Sequence, residues 1–120
     1  MTERPQWRAL TDGERALIRA IVGTTKNYDE VALVSELTGA LISGGSTWVF
    51  DVRAPNFAAV FHCPDGPFPA RAFVPNKVDY RGEVVIWISG GHLSGLEYVW
   101  VTDQPPNRWP LPEELEVHPA

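Results

Sequence analysis

The residues that could do chemistry are few and far apart. His62-Cys63 comes first, with Asp65 close by and His92 distant in the chain. A cysteine nucleophile needs a base beside it and a lowered pKa. Adjacent strand residues point to opposite faces, so His62 is not placed to activate Cys63, whereas His92 would be if the fold brought it over. A half-buried thiol beside a turn is the plainer reading. Paired acids for glycoside hydrolysis could come from Asp51, Asp79, Glu83, Glu97 and Asp103, but nothing in their spacing joins any two. Zinc needs three or four ligands, and neither Cys-x-x-Cys nor His-Glu-x-x-His occurs. "SGGS" and "SGGH" lack the lysine and following helix of a phosphate loop, and "HLSGL" lacks the first glycine of a nucleophile elbow. No catalytic residue, metal site or cofactor is expected.

The densest stretch is "GGHLSGLEYVWVTDQPPNRWPLP", Gly90 to Pro112. Alternation puts Leu96, Tyr98 and Trp100 on one strand face and Glu97, Val99 and Val101 on the other, with a bulge expected at Ser94-Gly95. Trp100 reads as a core anchor whose truncation would leave a cavity. Glu97 among apolar neighbours either reaches solvent, pairs with a base such as Arg53, Arg71 or Arg81, or stands ready to work. The prolines after Thr102 close the strand's exit to further pairing. Trp109, with Arg108 beside it, is either the leading exposed contact for a partner or a side chain that folds back over the core and seals the sheet.

The elements that must position these residues read as α+β. The 120 residues suffice for one domain, and 44% hydrophobic content with five tryptophans supports a core. "LTDGERALIRAIVG" is a helix with Thr11 and Glu14 as a capping box and Leu17, Ile18, Ile21 and Val22 on its buried face. "NYDEVALVSELTGA" is a second helix, capped by Asp29 or Asn27, with Val31, Val34 and Leu37 as the buried stripe and Gly39 as a left-handed terminus. Strands are expected in "STWVFDVR", at Phe57 to His62, at Ala70 to Val74, and in a hairpin around Gly90-Gly91. Two N-terminal helices packed on a four- to five-stranded, mainly antiparallel sheet follow. Residues 104–120 form a proline-stiffened tail with a helical turn near Pro112 to Leu115.

The net charge of −5, with eight arginines and two lysines scattered, argues against a nucleic-acid surface. One cysteine forms no internal disulfide and suits a reducing cytoplasm. The N-terminus lacks a signal-peptide pattern, and no apolar run reaches the ~20 residues that span a bilayer.

"RALTDGERALIRAIV" and "GEVVIWISGGHLSGLEYVWVTDQPPNRWPLPEEL" resemble a group of small bacterial proteins, mainly actinobacterial, whose activity is not established. These pair a capped N-terminal helix with a "G-x-L-S-x-L-E-aromatic" strand and a proline-rich segment. The matching residues are Gly91, Leu93, Ser94, Leu96, Glu97 and Tyr98, then Pro105, Pro106 and Pro110, over about half of the chain. The resemblance implies a shared fold and no activity. Some members carry a cysteine-rich turn where this chain has Gly44-Gly45-Ser46.

Two functional classes remain. One is a non-catalytic protein-interaction module, immunity-like or regulatory, holding a protein partner through an exposed aromatic and acidic surface that includes Trp87, Glu97, Asp103 and Trp109, with His92 and Arg108 as further contacts. The other is a small-ligand binder or enzyme with a pocket around His92 and Glu97.

Overall fold

The structure, a computed structural model, describes residues 6–44, 48–55, 58–76 and 79–119. The chain runs β1 (Arg8–Ala9), α1 (Asp12–Val22), α2 (Glu30–Gly39), β2 (Leu41–Gly44), β3 (Val49–Arg53), β4 (Gly66–Pro67), β5 (Ala70–Pro75), β6 (Tyr80–Ser89) and β7 (His92–Trp100). A 3₁₀ turn (Pro112–Glu114) and β8 (Glu116–Pro119) complete it. The strands form one antiparallel sheet in the order β1-β2-β3-β7-β6-β5-β8, and β4 also pairs with β6.

The α+β class and antiparallel pairing agree with the sequence, but among the described residues the sheet has eight strands rather than four to five. The extra members β1, β2, β4 and β8 are two to four residues long. Strands so short carry no readable alternation and owe their pairing to longer neighbours. β1 also precedes the helices, so the sheet starts before them. The run expected from Phe57 to His62 makes only an isolated bridge, Tyr28 to Phe61, within its described part; Asn56 and Phe57 lie outside the described residues. Gly45, Ser46 and Thr47, the rest of the glycine turn before β3, also lie outside them.

Helix α1 begins as its residues dictate. The Glu14 N–H donates to the Thr11 hydroxyl, and the Glu14 carboxylate accepts from the Thr11 N–H. Leu17, Ile18, Ile21 and Val22 are buried as expected. Helix α2 is capped by Asp29, which accepts from the Ala32 N–H, but its buried face is not the expected one. Leu33, Glu36 and Leu37 point inward, while Val31 and Val34 are 82% and 54% exposed. The inward stripe contains a glutamate, so apolar spacing alone selects the wrong side of the helix. Nor is Gly39 left-handed; among the described residues the positive-φ glycines are Gly66, Gly90 and Gly91. Arg15 Nε donates to the Leu37 carbonyl, tying α1 to the end of α2.

Both helices contribute to the buried cluster that holds the inner sheet residues Ile42, Val84, Ile86, Ile88, Leu93, Leu96 and Tyr98. The β6–β7 hairpin is the longest pairing, and its register shifts between Trp87 and Ile88, so Ser94 is the extra residue of a bulge. Gly90 and Gly91 form its turn with φ of 60° and 78°. A Cβ on Gly91 would lie 2.5 Å from the Ala59 Cβ, so glycine is required there for space as well as for conformation.

Trp100 is 36% exposed, correcting its assignment to the core. Its ring lies 6.0 Å from Trp48, at the margin of an aromatic group rather than in its centre. The two sides of α2 give a direct stability test. Leu37→Ala should cost about 2–5 kcal/mol through its cavity, and Val34→Ala should stay within about 0.5 kcal/mol in the same urea titration. Equal losses would mean that the helix is rotated.

Candidate functional site

Burial of Glu36 is the most demanding polar feature of the molecule. Its side chain is 1% exposed, on the face of α2 that meets the hairpin. Oε1 lies 2.5 Å from His92 Nδ1, and Oε2 accepts the Leu93 N–H at 3.2 Å. Both carboxyl oxygens thus find partners at the start of β7. His92 is 24% exposed, so its ring bridges the buried carboxyl and the surface. A ring nitrogen fixed by a carboxyl is an arrangement that orients a base in many enzymes. The other parts of such a centre are not assembled around it. The Cys63 thiol is pushed up, first by burial and then by the Asp65 charge, which holds it in its unreactive form. Asp65 itself accepts the Gly90 N–H at 2.9 Å and so clamps the turn. His62 is exposed, and its backbone N–H donates to the Asn27 carbonyl.

Glu97 stands on the opposite side of the sheet. Its cross-strand neighbours are Val49 on β3 and Val85 on β6. None of the three arginines expected as its partner takes that role. Arg71 is bonded to Glu83, Arg53 lies 4.2 Å above the Trp7 ring, and Arg81 makes no ion pair among the described residues. Instead, Trp87 Nε1 donates to Glu97 Oε1 at 3.2 Å. Trp87 lies over Gly95, the residue paired with it: a Cβ there would be 3.2 Å from Trp87 Cδ1. The glycine lets the indole lie down along the sheet, and the carboxylate fixes its N–H. His92 and Glu97 are five residues apart on one strand, roughly 16 Å at ~3.3 Å per residue. They do not form one pocket.

The tail carries the other expected contacts. Asp103 is exposed and makes no ion pair among the described residues. Trp109 is half-buried and packs against the core, which favours the fold-back alternative over the exposed contact. Its ring is 5.6 Å from Tyr98, 5.6 Å from Phe50 and 6.4 Å from Trp48. The prolines thus bring the tail back over the inner face, where the indole completes an aromatic cluster. Arg108 makes a bidentate pair with Glu114 at 2.6 and 2.9 Å. Of the expected contacts, Trp87 and Glu97 are bonded to each other, and Arg108 and Trp109 are neighbours in the tail. Glu36 is the principal addition. The Glu36 signal, a carboxylate within an otherwise apolar helix face, was present in the sequence but hidden by the choice of stripe.

Among the described residues no group of three or more His, Cys, Asp or Glu side chains is placed to hold a metal ion. No helix of the described residues is long and apolar enough to cross a membrane. Comparisons with protein-family models, curated proteins and solved structures give no match.

Glu114 supplies a pH test of the tail's anchorage. The Arg108 hydrogen bonds, followed by the Leu111 N–H, hold its carboxyl at about 2 against an ordinary 4.5. A depressed folded pKa stabilises the fold above 4.5, and that contribution is lost as pH falls from 4.5 towards 2. Exposure and salt screening keep it small. Arg108→Ala should move the Glu114 titration upward, as followed by carboxyl-carbon NMR. A midpoint still near 2 would show that Arg108 does not hold this carboxylate.

Proposed function

We propose that this protein is a non-catalytic interaction module, immunity-like or regulatory, that holds a protein partner. The observation that carries the reading is the uncovered side of the central strands. Val49, Trp87 and Val99 are 46%, 39% and 41% exposed there, with Glu97 set among them. Apolar side chains around a fixed aromatic are the composition of interface centres. Trp87 carries little freedom to lose on binding, since its indole rests on Gly95 and is bonded to Glu97. Glu97 and the neighbouring Asp51 make no ion pair among the described residues, so the complementary surface is apolar with a basic side chain facing them. The binding surface of this proposal is therefore the open sheet face, with Trp87 and Glu97 retained from the sequence reading and the half-buried Trp109 packed against the core on the other side. The lone cysteine suits work in a reducing cytoplasm.

The pocket reading around His92 and Glu97 is disfavoured by their separation along β7. What survives of it is the Glu36–His92 pair, which this proposal treats as structural.

The test is capture by the full chain and by two variants, Val99→Lys on the open face and Trp109→Phe in the tail, with folding checked by circular dichroism. A partner recovered by the parent and by Trp109→Phe, but lost with Val99→Lys, supports the open face. Sedimentation of the purified chain identifies the case in which the partner is a second copy. Equal recovery by all three proteins would remove this face from the interface.

A further inference from the structure

We propose that the small polar cleft beneath the tail is a binding site for a short-chain monocarboxylate. The cleft encloses about 230 Å³ and is lined by Val74, Arg81, Tyr98, Asn107, Arg108, Pro110 and Glu114. It is formed where the tail crosses the inner face near the open end of the β6–β7 hairpin, away from the proposed protein-binding surface.

Tyr98 carries the argument. It is 2% exposed, yet its hydroxyl has no hydrogen-bond partner among the described residues. Among the described residues no fully enclosed side-chain nitrogen or oxygen is left unpartnered, so this hydroxyl is not sealed off, and Tyr98 lines the cleft. A nearly buried phenol without a protein partner beside a cleft is a donor for an acceptor bound there. Arg81 is the second donor. Its backbone carbonyl is used by the Val101 N–H, but its guanidinium makes no ion pair or hydrogen bond among the described residues. Arg108 is committed to Glu114.

Charge and shape then choose the ligand. The lining charges, Arg81, Arg108 and Glu114, sum to +1 (two guanidiniums less one carboxylate). Burial raises the Tyr98 pKa first, while the Arg81 and Arg108 charges oppose that rise, so both fields reach the phenol. A hydroxyl donor beside a guanidinium fork suits a planar, acceptor-only monoanion. A phosphate dianion would exceed the balancing charge and meet the Glu114 carboxylate. Val74 and Pro110 supply apolar wall for a few carbons.

The experiment is ¹H–¹⁵N NMR of the full chain titrated with sodium butanoate, sodium phosphate or sodium chloride at one ionic strength. Butanoate should give saturable shifts at Arg81, Tyr98 and Asn107, and chloride should not. Arg81→Gln lies at the exposed strand end and should fold. It should weaken butanoate at least about tenfold, as loss of a charge-assisted hydrogen bond does. Tyr98→Phe keeps the ring in place and should weaken binding by roughly threefold or more, as loss of one neutral hydrogen bond does. Arg71→Gln, whose partner is Glu83, should leave it unchanged. Non-saturable shifts, or identical affinity in Arg81→Gln, would overturn the site. Phosphate saturating the same residues more tightly than butanoate would overturn its assignment to a monocarboxylate.

Discussion

A carboxyl group placed inside a protein must find hydrogen bonds there, and Glu36 finds them at one place only: the start of β7. That requirement fixes the rotation of α2 and brings it to the hairpin. The hairpin turn is held from other directions as well. The Gly91 carbonyl accepts from both the Val60 and Phe61 N–H groups, and Asp65 takes the Gly90 N–H. The same loop returns to α2, where the Asp29 N–H donates to the Val60 carbonyl. Helix, hairpin and loop therefore share one polar junction. Removal of Glu36 alone would leave the Leu93 N–H without its acceptor, at about 1–3 kcal/mol for each such donor.

The junction has a consequence for the rest of the sheet. With α1, α2 and the aromatic tail committed to the inner face, that side is covered from Ile18 to Trp109, apart from the cleft beneath the tail. The outer side of β3, β7 and β6 is left with alternating Val49, Val85, Val99 and Trp87 among carboxylates and the Arg71–Glu83 pair. Glycine at 95 and a carboxylate at 97 organise the largest residue of that surface, so the "SGLE" segment serves the outer face while Leu93, Leu96 and Tyr98 serve the core. One strand thus builds both sides of the molecule.

Local signals with a fixed geometry were legible in the sequence. The Thr11–Glu14 capping box, the Gly90-Gly91 turn and the Ser94-Gly95 bulge each require only a few neighbouring residues. Features set by distant partners were not. The buried face of α2 is decided by a histidine 56 residues away, and period counting that excludes glutamate from a core cannot find it. Trp100 lies nearer the surface than expected, and which alternative Trp109 takes is decided by what the proline-rich tail lands on. Glu97 was visible as an anomaly, but its partner was a tryptophan nitrogen rather than a guanidinium. Strands such as "GP" and "EVHP" have no pattern of their own.

A double-mutant cycle between Glu36 and His92 tests the junction most directly. Glu36→Gln, His92→Gln and the double variant are compared with the parent by urea unfolding. Partners in one buried polar network are expected to couple by about 0.5–3 kcal/mol, with the losses of the single variants overlapping in the double variant. Additive losses, with no coupling beyond error, would contradict the view that this pair holds α2 to the hairpin.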